Sequence, residues 1–300
     1  MSKASHNGRQ PAVAGLRRLA TVVPLAILIA MSPTLLCQPL DAGAASPRWP
    51  AALAQDVAAS TDYTLSRQFA PARGNQQGLA FQGGALYVGY DSGDGINGRI
   101  RSYSTAGKLL SDTGLTRIGH AAELGWRTAD GRLYAANGGR TNPTHVYKVN
   151  AGSGAIEYDH DFASLGNNGM VAVDNTADDM KLFYGPVAPD NNYRIRSVAF
   201  SGTLGAQFVV KRTLGVPQGI EVVGNQILYL YSKPWGDGSG NHYNWIAVYS
   251  ATGTLVRTIA LPTLIDESQG LAVDPADNTV YIGAKGPNAV YKLQPAFTPL

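Results

Sequence analysis

Five short segments each open on a polar side chain, continue through a small residue and end in an apolar run. They are Gln77-Gly78-Leu79-Ala80-Phe81, Glu123-Leu124-Gly125-Trp126, Asn168-Gly169-Met170-Val171-Ala172, Gln218-Gly219-Ile220-Glu221-Val222 and Gln269-Gly270-Leu271-Ala272-Val273, the second with its Gly one place late. Four of the opening residues are carboxamides, which donate and accept at once. Gln77, Asn168, Gln218 and Gln269 therefore suit a ligand's hydroxyls or amides, or equally strand ends and channel water. Glu123 is the one acid of the set. In a confined site, loss of water raises a carboxyl's pKa and fits it for acid or base work. Its plainer alternative is a Glu exposed at the mouth, or paired with Arg127 or Arg140.

A second chemical concentration lies in Ser232–Asn244, where Lys233, Trp235, Asp237, His242 and Tyr243 fall within eleven residues. Flat aromatic faces beside a cation suit a sugar, a peptide end or an aromatic ligand, so Lys233, Trp235, His242 and Tyr243 join the candidate contacts. Trp245 opens the next strand and is expected to pack between sheets. Other chemistries find little support. Asp91, Asp94 and Asn97 share a loop, but Gly93 and Gly95 occupy positions where a calcium loop needs ligands. His120, His145, His160 and His242 lack zinc spacing. There is no Gly-x-Ser-x-Gly, phosphate loop or cysteine nucleophile outside the leader, so no metal and no cofactor is expected.

These residues need a scaffold that presents them together, and their spacing supplies it. Positions 77, 123, 168, 218 and 269 recur every 45 to 51 residues. A period of about 40–50 residues with several short strands per copy describes propeller blades. Five copies predict an all-β, five-bladed β-propeller. Each opening segment is the innermost strand of a blade, followed by a tight turn and a Tyr-containing second strand such as Ala85–Tyr90 or Ile227–Leu230. The loops between second and third strands are long and polar and should gather at the mouth bearing the polar ring, where a ligand would sit. The last blade lacks an outer strand, because Pro295 and Pro299 follow soon after Tyr291. Tyr63–Phe69 precedes the first blade unpaired. Placing it as the fifth blade's outer strand closes the ring without a bare edge.

The first 45 residues differ from the rest. A basic start with Lys3, Arg9, Arg17 and Arg18 leads into an apolar run from Leu19 to Leu36 and then Ala42-Gly43-Ala44-Ala45. That order reads as a secretory signal peptide, residues 1–45, with a linker over 46–60 and the propeller over 61–300. The expected location is secreted or periplasmic. The leader carries four of the 24 basic residues, one of the 21 acidic ones and the single cysteine, Cys37, leaving 20 of each charge and no disulfide. A neutral body gives no reason to expect a nucleic-acid partner, or a membrane one beyond the leader. The expected state is a monomer holding a small molecule, a peptide or a glycan. With no complete catalytic set, the primary expectation is a binding module, and an enzyme using Glu123 is the alternative.

The stretch Gln269-Gly-Leu-Ala-Val-Asp274 with Val280-Tyr-Ile-Gly283 and Asn288-Ala-Val-Tyr-Lys292 resembles the blade unit of the NHL, YncE and gluconolactonase-like propellers. That resemblance implies the fold over most of residues 61–295 and carries no activity. The gluconolactonase branch holds a divalent metal on several channel carboxylates and amides, where this chain has Glu123. Glu267-Ser268-Gln269-Gly270-Leu271 is loosely similar to helveticin-type and teichoic-acid-associated propellers. Gln77-Gly78-Leu79 with Glu123 also resembles the plant and bacterial type of glutaminyl cyclase, a secreted five-bladed propeller. That likeness implies Glu123 as the proton-moving residue. The chain departs from this pattern at Leu124, where a Gly is usual, and at Gln218-Gly219, where an acid is usual.

Overall fold

The computed structural model describes residues 59–60, 62–139, 141–264 and 266–300. The chain divides into two units, Met1–Ser46 and Pro47–Leu300, and every described residue belongs to the second. The expected signal peptide, Cys37, most of the expected linker and Arg140 lie outside the described residues.

Strands β1 (Ala59–Ser60) and β2 (Thr64–Phe69) precede five successive blades. The first blade holds β3 (Asn75–Gln82), β4 (Ala85–Asp91), β5 (Gly98–Ser104) and β6 (Leu109–Asp112). The second holds β7 (Glu123–Arg127), β8 (Arg132–Ala136), β9 (His145–Val149) and β10 (Ile156–Asp161). The third is β11 (Met170–Asp174), β12 (Asp179–Val187), β13 (Asn192–Ala199) and β14 (Leu204–Val210). The fourth is β15 (Val216–Val223), β16 (Gln226–Pro234), β17 (His242–Ser250) and β18 (Leu255–Ala260). The last contributes β19 (Ser268–Asp274), β20 (Thr279–Ala284) and β21 (Ala289–Gln294). Within each blade, neighbouring strands run antiparallel, and the innermost strands β3, β7, β11, β15 and β19 pack side by side around the axis. The architecture is the expected five-bladed β-propeller.

Ring closure uses the N-terminal strand. β2 lies antiparallel to β21, with Leu65 opposite Leu293 and Arg67 opposite Tyr291, and serves as the fifth blade's outer strand. Tyr63 stops short of that strand and instead buries its ring between blades four and five, among Leu230, Ile246, Leu293 and Phe297. One pairing has no precursor in the sequence pattern: β1 runs parallel to β18, Ser60 opposite Ile259, so the end of the expected linker extends blade four.

Blades bury both faces, so their second strands are largely apolar. Ile227 to Tyr231 in β16 is buried at every position. The core divides into five clusters, one at each seam between neighbouring blades. Trp245 lies in the seam of blades three and four, as expected.

Candidate functional site

The innermost strands crowd the axis, and this crowding explains the repeated glycine. A Cβ on Gly78 would strike the Glu123 backbone, one on Gly125 would press on Val173, and one on Gly219 would stand 2.6 Å from Glu123 Oε2. Gly270 also has a φ of +77°, which a side chain would strain. These contacts reset the register of the second copy. Ala122, not Glu123, lines the mouth alongside Gln77, Asn168, Gln218 and Gln269. Glu123 occupies the position that is glycine in the other four blades, one step deeper. Four glycines leave room at the axis for one long side chain, and Glu123 fills it.

Glu123 is fully buried. Its Oε1 accepts from the backbone N–H groups of Leu79 (2.8 Å) and Leu124 (3.2 Å). Its Oε2 accepts from those of Ile220 (3.1 Å) and Leu271 (3.3 Å). These donors are equivalent residues of blades one, two, four and five, so a single carboxylate ties four blades together. Burial pushes this carboxyl well above the usual range, against the pull of the backbone donors. The group is not exposed at the mouth and none of its hydrogen bonds among the described residues goes to Arg127, while the expected pairing with Arg140 falls outside the described residues. Arg127 pairs with Asp130 and Asp178 on the other side of the blade.

Above this carboxylate lies a cavity of about 550 Å³. Gln77, Asn168, Gln218, Gln269 and Lys233 line it together. Gln218 is held in place, its Nε2 donating to Ser232 Oγ (2.9 Å) and Glu267 Oε1 (3.1 Å). Gln77 Nε2 donates to Asn75 Oδ1 at 3.2 Å. Asn75 in turn donates to Asp91, which also holds His120 at 2.9 Å. The side chains of Asn168 and Gln269 make no hydrogen bond among the described residues, although Gln269 is only 5% exposed.

Trp235, His242 and Tyr243 do not line the cavity. The expected long loop is shorter than its sequence suggests, because β16 and β17 continue as a hairpin that pairs Lys233 with Tyr243 and Pro234 with His242. Its aromatics extend the seam between blades three and four. Trp235 packs on Tyr243 (ring centroids 5.6 Å), Tyr243 on Trp245 (5.7 Å) and Trp245 on Tyr231 (5.3 Å). The aromatic candidates thus form a row of packed rings beside the mouth. Asp94 accepts from Ile96, Asn97 and the Asn97 amide within its own loop.

Part of the lining comes from elements the repeat pattern does not mark, the connectors between one blade's outer strand and the next blade's inner strand. They deliver His120, Arg212 and Glu267 to the cavity. Asn192 Oδ1 accepts from the Arg212 N–H at 3.0 Å, and buried Asn244 holds the carbonyls of Leu264 and Asp266 and the N–H of Ser268. The signal was available in principle: a connector that leads straight into an innermost strand must arrive at the same mouth.

The opposite mouth has its own cavity of about 280 Å³, lined by Phe81, Trp126, Asp174 and Glu221 among others. Glu221 is a second channel acid, where the sequence reading had only Glu123. Burial, with Asp174 adding repulsion, pushes its carboxyl up to about 8 from 4.5. A raised carboxyl stabilises the fold fully below the unfolded value and loses that contribution as pH climbs through the folded one. Melting temperature should therefore fall between about pH 4.5 and 8, and Glu221→Gln should flatten that slope. An unchanged slope in thermal melts across this range would contradict the assignment.

No protein-family model matches the chain, and no curated protein matches it in sequence. Similarity appears among solved structures. Glutaminyl cyclase from Myxococcus xanthus superposes with a TM-score of 0.56 at 18% identity, covering 77% of this chain and 95% of that one. The β-propeller domain of Myceliophteria thermophila Cps50 (Swd1) gives a TM-score of 0.45 at 8% identity, covering 78% of this chain and 100% of that one. The likeness is one of fold.

Proposed function

We propose that this chain is an exported binding module that holds one small molecule, peptide or glycan in the cavity at the carboxamide mouth. One observation carries the reading. The cavity presents carboxamides of Asn168 and Gln269 that make no hydrogen bond among the described residues, while Glu123 beneath it has both oxygens engaged by backbone N–H groups. A polar recess with convergent donors and acceptors favours a bound ligand. A carboxylate committed to four backbone donors is a poor proton carrier. Export rests on the charge and hydropathy of residues 1–45, and the NHL and YncE likeness on the blade motif.

The alternative is an enzyme of glutaminyl-cyclase-like or lyase and lactonase type, with Glu123 as acid or base. It draws on the raised carboxyl lying one residue below the cavity floor at Ala122. Incubation with peptides bearing an N-terminal Gln separates the two. The binding reading expects calorimetric heat from a ligand panel and no ammonia; ammonia release that disappears in a Glu123→Asp variant with intact melting would establish the enzyme.

A further inference from the structure

We infer that the ligand of this cavity is a carboxylate-bearing carbohydrate, a uronic-acid unit or short oligouronate; this rests on the binding reading above. Charge is the first observation. Among the described residues, Arg212, Lys233 and Lys285 line the cavity against one carboxylate, Glu267, although the chain beyond the leader is neutral. Glu267 already has partners in Lys285 Nζ (3.5 Å) and the Gln218 amide. His120 is held by Asp91. The guanidinium of Arg212 and the ammonium of Lys233 have no partner among the described residues. Two unpaired cations beside one recess call for an anion, and a carboxylate matches both.

The second observation concerns the floor. Gln269 is nearly buried, makes no side-chain hydrogen bond among the described residues and lines the recess, as does the Asn168 amide. The Oε1 atoms of Gln77 and Gln218 remain as acceptors after their amino groups are engaged. Each hydroxyl of a sugar donates and accepts, as a carboxamide does. The four carboxamides arrive from four different blades around an axis. That arrangement suits a compact ring with hydroxyls pointing outward. An extended peptide would instead ask for a strand edge along which to pair its own N–H and C=O groups, and the inner strands here are paired and packed about the axis.

The test is isothermal calorimetry on the propeller from Pro47 onward with four probes: trigalacturonate, its methyl ester, cellotriose and trialanine. Trigalacturonate should bind, with the methyl ester and cellotriose weaker by about tenfold or more, as expected when a charged contact is lost. Arg212→Ala and Lys233→Ala, both at exposed positions, should melt like the parent and weaken trigalacturonate by a similar factor. Equal binding of acid and ester, or no effect of either substitution, would overturn the inference. Binding of cellotriose or trialanine alone, lost in Gln269→Leu, would also overturn it while leaving the cavity as the binding site. If none of the four binds, or if Gln269→Leu changes nothing, the site reading falls with it.

Discussion

Glu123→Gln is expected to lower stability by about 3 kcal/mol, and so the melting temperature by roughly 6–12 °C for a body of this size. Each carboxylate oxygen accepts two backbone N–H groups, so whichever position the new NH2 takes, it faces two donors. Two accepted hydrogen bonds are lost, and their N–H groups are left buried without partners. The substitution conserves shape, so a cavity cannot account for the loss. The effect should exceed that of removing any of the mouth carboxamides, none of which holds backbone N–H groups of four blades. Melting within a degree or two of the parent would show that the carboxylate does not tie the blades.

Removal of the chain through Phe69 is expected to abolish cooperative folding, whereas a chain beginning at Pro47 should melt as one unit. The deletion strips β2 from β21 and leaves an open edge on blade five. It also removes Tyr63 and Leu65 from the seam of blades four and five, and β1 from β18. The first and last described segments share a contact here: Arg257 lies over Tyr63 at 5.9 Å and over Phe297 at 4.5 Å, and donates to the carbonyl of Thr298. A soluble protein starting at Ala70 with a sharp thermal transition would contradict ring closure by β2.

The blade count was legible because the axis imposes the same demand on every copy. Inner strands approach so closely that a small residue must recur, and the run after it must be apolar to fill a seam. The second copy misled for the same reason. Matching polar residue to polar residue put Glu123 at the mouth, whereas steric crowding places it where Gly78, Gly169, Gly219 and Gly270 stand. No letter of the segment distinguishes a Glu that faces a cavity from one that fills an axis. Glu221 has no distinguishing signature because it lies three residues beyond Gln218, inside an otherwise apolar run and toward the opposite mouth. Trp235 and Tyr243 flank a Gly-rich stretch that suggests a loop; the hairpin that continues through Pro234 and His242 turns them into an extension of a seam. The parallel pairing of β1 with β18 spans about two hundred residues and has no local signature.

The central claim is that ligand contact occurs at the carboxamide mouth and not at the mouth holding Glu221. Hydrogen–deuterium exchange with and without saturating trigalacturonate tests it most directly. The account predicts slowed exchange in the connector around Arg212, in Ser232–Pro234 and around Gln269, with the turns at Thr128, Asn175 and Asn278 unchanged. Slowed exchange confined to those turns would place the ligand on the opposite face and contradict it.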